Sequence, residues 1–337
     1  MVKVAMIGFG GIAQAHRYAY WYFNKAGLPV QLIAACDTDP EKFNTVTKIN
    51  IPLRGEIKNE LPFTAYTDWR EMLQTEQPDL VDICLPTPFH KSVAIEALKM
   101  GFHVMCEKPM AVSHADCVEM TETAHEVGRH LMIAQCVRFQ PEYEYLKKAV
   151  DEQLYGALTT AEFFRYSPLP TWSRDKWRAD AGKTGSCLAE LNIHDIDVVQ
   201  AIFGLPEKIS CELTSNVYPY DLANSQFVYP AYTIAIKSAW YDPSYAFSAG
   251  YRAEFENGIL EHRDGKVFFT DRNGVVEEIT VEDADGVMGE IRYFVEMLDG
   301  GLDNDRNPPE HSTQTVYSLE KCYASADENG ALLPYEG

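Results

Sequence analysis

Short apolar runs alternate with helical patterns over residues 1–136. Stretches such as 89–101 and 113–128 repeat apolar residues at helical spacing and end at a glycine. Strands that alternate with helices predict a parallel, doubly wound sheet of the α/β class. The runs that have the length and composition of buried strands lie at 2–7, 30–36, 80–85, 102–106 and 131–134.

A different pattern begins near residue 137. After a strand pattern over 158–166, Asn-Gly or Asp-Gly pairs that are typical of hairpins separate further strands. We therefore predict a first domain over 1–136 with a parallel sheet and a second domain over 137–337 with a mostly antiparallel sheet. A final helix over 312–329 is expected to pack near the domain junction. The remaining strand patterns lie at 209–217, 232–241, 248–255, 258–263, 267–270 and 275–281.

A glycine turn follows the first apolar run without a spacer. The hexamer GFGGIA over 8–13 indicates a tight turn and the first turn of a helix. Gly8 permits backbone angles that are closed to other residues, and Gly10 leaves no Cβ where a pyrophosphate must approach. The helix then points its free N–H groups at the phosphates. A plain strand-turn-helix is the alternative interpretation of this hexamer.

An acidic residue ends the second apolar run. The carboxylate of Asp37 stands where it can accept hydrogen bonds from the two ribose hydroxyls of an adenosine. Together with the glycine turn, this acid predicts a dinucleotide site. Since no arginine stands at position 38, the 2′-phosphate of NADP lacks a partner there and NAD is favoured. Lys42 is close enough in sequence to leave NADP open.

The loops after the parallel strands are predicted to line one crevice, because ligands of doubly wound sheets bind outside the carboxyl ends of the strands. Lys108 lies in one of these loops, where an ammonium can stabilise negative charge on a reacting oxygen. A solvated strand-end lysine is the alternative. The predicted cofactor-binding residues are Gly8, Phe9, Gly10, Gly11, Ile12, Asp37, Pro86, Thr87, His90, Glu107 and Lys108.

Composition and charge limit the classes of partner. The 337 residues carry a formal net charge of -21, which would repel nucleic acid and acidic membranes. No apolar run reaches the length of a membrane span, and the first run lacks the basic flank and cleavage site of a signal peptide. The eight cysteines are scattered without a CxxC pair, which predicts reduced thiols in a cytoplasmic protein.

One pair of residues has the spacing of metal ligands on a helix. Glu122 and His125 share a face of the helix predicted over 113–128. Because nothing nearby in the sequence completes a site, we predict a solvated pair and no metal.

Three segments carry a specific set of motifs: the glycine turn, GFHVMCEKPM over 101–110, and Gly185-Ser186 followed by ELNIHDID over 190–197. With these motifs, most of the chain resembles the glucose-fructose oxidoreductase, inositol dehydrogenase and rhizopine-catabolism (Gfo/Idh/MocA) family. The resemblance implies an N-terminal Rossmann domain and a C-terminal α/β domain with an open, mostly antiparallel sheet. It also implies NAD(P)-dependent oxidation or reduction at a hydroxyl-bearing carbon of a sugar or cyclitol. Lys108 matches the family's active-site lysine, and His194 matches its catalytic histidine.

Two residues of the third segment, Glu190 and His194, are four apart on a helix predicted to begin at 185. By itself such a pair is a frequent surface motif. The resemblance instead implies that His194 is the acid-base group, since imidazoles exchange protons near neutral pH. Glu190 would hold the imidazole or bind a neighbouring hydroxyl. The sequence departs from the family pattern, which has Asp at position 190 and Gly at position 186.

Further substrate contacts are predicted from a polar, aromatic loop over 167–186. Trp172 and Trp177 either stack on the apolar side of a sugar ring or anchor the loop. The resemblance places Arg138 near the active crevice, as a substrate contact or as one half of a salt bridge between the domains. The predicted substrate-binding residues are Lys108, Arg138, Trp172, Trp177, Glu190 and His194.

The sequence therefore predicts an NAD-dependent oxidoreductase that acts on a sugar, cyclitol or related polyol. One alternative is a glycoside hydrolase that retains NAD and oxidises its substrate only transiently, and another is an NAD(H)-binding sensor without turnover. Aromatic residues across the strands of the second domain predict a homodimer or homotetramer formed through that sheet. They are Tyr232, Trp240, Tyr245, Phe247, Tyr251, Phe255, Phe268 and Phe269.

Overall fold

The computed structural model describes residues 1–44, 63–169, 186–216 and 221–336. The chain forms two compact units. The first unit contains 1–136 and 285–313, and the second contains 137–284 and 314–337. The division after residue 136 lies at the predicted boundary. Residues 285–313 belong to the first unit, although the sequence analysis assigned them to the second domain.

The first unit is built on a six-stranded sheet. Its strands are β1 Val2–Ile7, β2 Val30–Cys36, β3 Thr64–Tyr66, β4 Leu80–Ile83, β5 His103–Glu107 and β6 Leu131–Ala134. The strand order is β3-β2-β1-β4-β5-β6, and every neighbouring pair is parallel. Successive strands are added on one side of β1 as far as β3 and then on its other side from β4 onward. Doubly wound sheets bind ligands at this point, between β1 and β4. The predicted α/β class is confirmed.

The helices follow the apolar periodicity and are limited by local caps. In chain order, the α-helices of the described residues are α1 Gly11–Lys25, α2 Trp69–Glu76, α3 His90–Lys99, α4 His114–Val127, α5 Pro141–Asp151, α6 Ile193–Phe203, α7 Gly286–Gly300 and α8 Pro309–Asp327. At the start of α4, the Ser113 side chain accepts a hydrogen bond from the N–H of Asp116, and Gly128 ends this helix with a φ of 62°. None of these helices combines the length and the apolar content of a membrane span.

The helix α7 completes the core of the first unit although it comes late in the chain. Ile291, Phe294 and Val295 are at most 1% exposed and join one apolar cluster with Met6 of β1 and with the buried side of α1. Each such side chain contributes about 1.5–3 kcal/mol on burial. Helical periodicity predicts this helix but does not show what covers it. For that reason, the assignment of 285–313 to the second domain was wrong.

The second unit is built on a nine-stranded sheet. Its strands are β7 Leu158–Pro168, β8 Lys208–Thr214, β9 Leu222–Val228, β10 Thr233–Tyr241, β11 Ser248–Phe255, β12 Gly258–Arg263, β13 Lys266–Asp271, β14 Val276–Ile279 and β15 Leu333–Pro334. The order is β14-β13-β12-β11-β7-β10-β9-β8-β15. Only β7 and β10 pair in parallel, and the other described neighbours are antiparallel. The prediction of a mostly antiparallel sheet is confirmed.

Aromatic side chains occupy both the core and the surface of the second unit. Trp240, Tyr251 and Phe255 are at most 5% exposed, so they belong to the core. The sequence analysis had instead placed them on an open face of the sheet. Tyr245 and Phe247, in the turn before β11, are 40% and 57% exposed. Strand periodicity alternates sides with each residue, and a one-residue difference in register therefore decides which aromatic rings are buried.

Candidate active site

The turn between β1 and α1 is shaped by its first glycine. Gly8 has a φ of 91°, and a Cβ built there would lie 2.6 Å from the carbonyl oxygen of Cys84. This position therefore requires glycine. Gly10 differs, because a Cβ built there would meet no atom within 4 Å. The backbone at Gly10 borders open space that a ligand can enter.

The first turn of α1 presents backbone N–H groups without a side-chain cap. Gly10 is the N-cap residue and makes no side-chain hydrogen bond, and the first turn, which includes Gly11 and Ile12, contains no acidic residue. These N–H groups can therefore bind a phosphate. The side chain of Phe9 is buried, with its ring centroid 5.0 Å from that of Phe43, so this residue supports the turn from behind.

The carboxylate of Asp37 is held at the end of β2 by neighbouring donors. Its Oδ2 accepts hydrogen bonds from the N–H of Phe9 and from the Lys42 ammonium, both at 2.9 Å. Its Oδ1 accepts one from the N–H of Asp39 at 3.0 Å. The acid is thereby tied to the glycine turn, as a ribose-binding residue requires. The Lys42 ammonium beside it is a cation that a 2′-phosphate could meet, which leaves NADP open.

A buried histidine ties two strand-end loops together. His90 is fully buried, and its Nδ1 lies 2.8 Å from the carbonyl oxygen of Pro109 while its Nε2 lies 2.7 Å from that of Leu85. The loop after β4 and the loop after β5 are therefore held side by side. Pro86 is exposed and Thr87 is half-buried beside this clamp. For His90, Pro86 and Thr87, cofactor contact stays a prediction.

Lys108 follows the last residue of β5 and is half-buried. Its backbone N–H donates a hydrogen bond to Oε2 of Glu107 at 3.1 Å. Burial alone would raise the pKa of Glu107, but the hydrogen bond and charge of His16, with Lys108 nearby, hold it below its usual range. Glu107 is therefore a carboxylate that faces inward and supports the lysine.

Behind Lys108 lies a buried polar cluster that the sequence analysis did not recognise. His16 Nε2 lies 3.1 Å from Glu107 Oε1, and His16 Nδ1 lies 2.9 Å from Asp82 Oδ2. Tyr20 donates a further hydrogen bond to Asp82 Oδ2 at 2.9 Å. An acid within the apolar run of β4 was the signal in the sequence, because a buried carboxylate needs partners.

The second unit carries the other predicted catalytic residues. Glu190 lies on a π-helical turn, Leu188–Asn192, and His194 lies in the first turn of α6. Both side chains are half-buried. A π turn has wider spacing than an α-helix, so the four-residue separation does not by itself stack this pair. Such turns occur frequently at functional sites.

Two buried ion pairs fix the backbone around His194. Asp195 accepts two hydrogen bonds from the guanidinium of Arg165, at 2.8 and 2.9 Å. Asp197 accepts two from Arg138, at 2.6 and 2.7 Å. Both pairs lie within the second unit. The Arg138 pair is therefore not the salt bridge between domains that the sequence analysis considered, and substrate contact by Arg138 stays a prediction.

Two family models match the chain. The model of the oxidoreductase family with an NAD-binding Rossmann fold matches residues 2–135, and the GFO/IDH/MocA C-terminal domain matches residues 143–256. The chain belongs to the Gfo/Idh/MocA family. Its first unit is accordingly an NAD-binding Rossmann domain, as the glycine turn and Asp37 predict.

Similar Gfo/Idh/MocA relatives include enzymes named for sugar substrates. D-glucoside 3-dehydrogenase of Escherichia coli (strain K12) is 29% identical over 207 residues, which are 61% of this chain and 55% of the relative. Levoglucosan dehydrogenase of Pseudarthrobacter phenanthrenivorans is 28% identical over 215 residues, or 60% of this chain and 51% of the relative. The matches span about half the length of these curated relatives.

Solved structures share the fold over nearly the whole chain. An oxidoreductase from Agrobacterium radiobacter in complex with NAD+, L-tartaric acid and magnesium has a TM-score of 0.81 at 17% identity, covering 99% of this chain and 98% of that one. An NAD binding oxidoreductase from Klebsiella pneumoniae has a TM-score of 0.82 at 20% identity, covering 99% and 100%. At these identities, the similarity shows the fold alone.

The predicted site residues of this Gfo/Idh/MocA chain fall into three groups. In the first unit, contacts link the glycine turn to Asp37, and His90 links the loop after β4 to the loop that carries Lys108. In the second unit, the helix region of His194 contains Glu190 and the partner of Arg138. The tryptophans of the predicted substrate loop, Trp172 and Trp177, lie outside the described residues.

Potential metal-binding groups are engaged with other partners. His125 Nε2 lies 2.9 Å from Glu310 Oε1 in an exposed pair, and not in a site with Glu122. His16, Asp82 and Cys84 bring a nitrogen, an oxygen and a sulfur within 4.8 Å of one another. Both ring nitrogens of His16 already face carboxylate oxygens, Asp82 Oδ2 at 2.9 Å and Glu107 Oε1 at 3.1 Å. We assign no metal to this cluster.

Proposed function

We propose that the protein is an NAD-dependent oxidoreductase that transfers a hydride between nicotinamide and a hydroxyl-bearing carbon of a sugar, cyclitol or related polyol. The observation that carries this proposal is the position of Lys108. It is half-buried at the carboxyl end of β5, in a loop that His90 fastens to the neighbouring loop of the NAD-binding domain. The names of two relatives, D-glucoside 3-dehydrogenase and levoglucosan dehydrogenase, support the class of substrate.

The cofactor is bound by the first unit. The N–H groups at the start of α1 bind the pyrophosphate next to the open space at Gly10, and the Asp37 carboxylate accepts the ribose hydroxyls. When bound, NAD would supply the acceptor for the hydride of the substrate carbon. Contacts of Pro86, Thr87 and the Glu107 region with the cofactor belong to this proposal.

The lysine binds the oxygen at which charge develops. The Lys108 ammonium donates a hydrogen bond to the hydroxyl of the substrate carbon and stabilises the negative charge that grows as the hydroxyl proton leaves. Glu107 fixes the start of this side chain by accepting the backbone N–H of Lys108. Removal of one such donor lowers kcat by roughly 10²–10³-fold.

The hydroxyl proton goes to His194 in this proposal. The imidazole takes the proton as the hydride leaves the same carbon, so the substrate becomes a carbonyl compound. The buried pair Asp195–Arg165 supports this role, because it fixes the first turn of α6 that carries His194. Glu190, Trp172, Trp177 and Arg138 are proposed as substrate contacts.

The test is a panel of polyols with NAD, followed by absorbance of NADH. The variant Lys108→Met should lower the rate by about 10²-fold or more while NAD binding is kept. The exposed Lys99, at the end of α3, offers a matched control in Lys99→Met, which should behave like the wild type. Equal rates for Lys108→Met and Lys99→Met would contradict the proposed role of Lys108.

A second candidate is a reaction that oxidises the substrate only transiently and regenerates NAD. It is favoured by the relative 2,7-anhydro-N-acetylneuraminate hydratase of Escherichia coli (strain K12), which is 29% identical over 49% of this chain and 45% of the relative. A glycoside hydrolase that retains NAD belongs to the same group. Release of product from a sugar derivative without net NADH would favour this candidate, and NAD binding without any turnover would favour a sensor.

We also propose that two or four copies of the chain assemble through the second sheet. Phe164, Tyr166, Tyr241 and Tyr245 form a continuous series of ring contacts, with centroids 4.6 to 5.8 Å apart, and Phe247 nearby is 57% exposed. Such a surface is typical of an interface. The eight cysteines, all free thiols, support a cytoplasmic location.

Sedimentation velocity tests the assembly. Phe247→Asp should shift the wild-type oligomer toward monomer, because a charge would be buried in the apolar contact. Leu302→Asp is a matched control, since Leu302 is 62% exposed and lies in the first unit. A monomeric wild type, or the same shift with both variants, would contradict the proposed interface.

A further inference from the structure

The cluster behind Lys108 is a chain of contacts that begins on the cofactor-binding helix. His16 of α1 is fully buried and reaches both neighbouring strands, with Nδ1 2.9 Å from Asp82 Oδ2 and Nε2 3.1 Å from Glu107 Oε1. Glu107 then uses its other oxygen, Oε2, to accept the backbone N–H of Lys108. One imidazole therefore connects the NAD-binding helix to the backbone of the proposed catalytic lysine.

The contacts of the two ring nitrogens indicate the charge of this ring. A neutral imidazole has one N–H donor and one acceptor nitrogen, and two ionised carboxylates can only accept. With a carboxylate oxygen at each ring nitrogen, a neutral His16 would set a nitrogen lone pair against an oxygen lone pair. A doubly protonated His16 satisfies both contacts.

We propose that His16 is a permanently charged positioning residue, whose imidazolium holds the Glu107 carboxylate so that it fixes the backbone of Lys108. This inference rests on the proposed function, since it assigns His16 a role through the proposed catalytic lysine. His16 does not contact the reacting atoms. Through Glu107, it fixes the direction of the backbone at Lys108, directly after β5.

The surrounding charges agree with this role. Burial alone would lower the pKa of His16, but the charge of Asp82, with Cys84 and the hydrogen bonds to both, raises it well above the usual value. Charges then alternate from Asp82 through His16 and Glu107 to Lys108, so each buried charge has an opposite neighbour. The titratable groups around the ring are Tyr20 of α1, Asp82 of β4, Cys84 just after β4, Glu107 of β5 and Glu290 of α7.

A neutral Glu290 completes this balance. Its side chain is fully buried, and neither oxygen has a hydrogen-bond partner among the described residues. Burial raises the pKa of Glu290 well above its usual value, against the lowering effect of His16, and the nearby Glu107 and Asp82 raise it further. Glu290 therefore stays protonated and does not neutralise the imidazolium. His16 keeps its two carboxylates as partners.

The charge state can be measured without any enzymatic activity. In protein with 15N-labelled histidine, both ring nitrogens of His16 should show the chemical shift of a protonated nitrogen from about pH 6 to about pH 9. Its resonances are identified by their loss in His16→Gln or, if that variant does not fold, by correlation with the backbone. A ring with one unprotonated nitrogen at neutral pH would overturn the proposal.

The effect on Lys108 is measured by hydrogen exchange of its backbone amide. In His16→Gln and in Glu107→Gln, the Lys108 amide should exchange at least about tenfold faster, because its acceptor is no longer held. The amide of Cys106, inside β5, should keep its protection and so reports on global unfolding. Unchanged exchange at Lys108 in a folded His16→Gln would overturn the positioning role.

Kinetics separate this inference from the proposed function. With an active polyol, His16→Gln and Glu107→Gln should each lower kcat roughly 10- to 100-fold, as for other residues that orient a catalytic group. The double variant should lose no more than the larger single loss, since both changes break the same link. His125→Gln, on an exposed side chain, is the matched control. If no polyol is turned over, the proposed function fails, while the two measurements on His16 and Lys108 still decide this inference.

Discussion

The two glycines of the turn between β1 and α1 provide a prediction that separates folding from NAD binding. Gly8→Ala would place a methyl group 2.6 Å from the backbone oxygen of Cys84, at a φ of 91°. Gly10→Ala would place the same group in open space, at a φ of -82°. We expect the first variant to lose stability and the second to lose affinity for NAD.

The cost at Gly8 has two parts. A positive φ costs a residue that has a Cβ about 1–2 kcal/mol. Relief of the contact with Cys84 requires a backbone shift, since the contacted atom is not the end of a flexible side chain, and such overpacking costs about 1–3 kcal/mol. The free energy of unfolding should therefore fall by about 2–5 kcal/mol.

The cost at Gly10 falls on the complex instead. Alanine reduces the freedom of the unfolded chain, so the free protein should be as stable as the wild type or up to about 1 kcal/mol more stable. In the NAD complex, the methyl group takes space beside the pyrophosphate. A steric cost of about 1–3 kcal/mol corresponds to a roughly 5- to 150-fold weaker affinity.

Urea unfolding and calorimetric titration with NAD measure the two effects on the same samples. A Gly10→Ala variant that binds NAD as tightly as the wild type would refute the placement of the pyrophosphate at this turn. A Gly8→Ala variant with wild-type stability would refute the close packing of the turn against Cys84. Loss of both properties in both variants would mean that the turn does not separate the two roles.

Three further predictions concern buried or partly buried ionisable groups. The pKa of Glu290 is raised in the folded state, so this group makes the wild type less stable as pH rises above the unfolded-state pKa of about 4.3. Glu290→Gln lacks this effect. The free energy of unfolding of the variant should therefore rise relative to that of the wild type between about pH 5 and pH 8. Asp195→Asn should lower the free energy of unfolding in urea by about 3–5 kcal/mol, since it leaves Arg165 buried without its carboxylate, and a loss below about 1 kcal/mol would contradict this. Lys42→Ala should weaken NADP binding more than NAD binding in parallel titrations, since it removes the cation 2.9 Å from Asp37, and equal losses would contradict a role in 2′-phosphate binding.

The sequence predicts the NAD-binding part of the site because its signals are local. Gly8 and Gly10 lie in the turn between β1 and α1, and Asp37 directly follows β2, so their roles follow from backbone angles and strand order. The position of Lys108 follows for the same reason, since the carboxyl ends of parallel strands meet at one edge of the sheet. Local pattern and global fold agree over this part of the chain.

Other features depend on partners that are distant in sequence. The strand β9, LANSQFV, buries Ala223, Ser225 and Phe227, and this mixture of small, polar and apolar side chains lacks an apolar alternation. The role of His16 does not follow from the pattern of its own helix, because its carboxylate partners come from β4 and β5. Tertiary contacts, and not periodicity, give these residues their roles.

The return of 285–313 to the first unit has a consequence for protein engineering. A recombinant fragment that stops at residue 136 would leave the apolar side of α1 open to water, because Ile291, Phe294 and Val295 would be missing. Such a fragment should aggregate when expressed alone. A fragment that splices 285–313 onto residue 136 would restore this covering. We expect this spliced fragment to fold and to be purified as an isolated nucleotide-binding module.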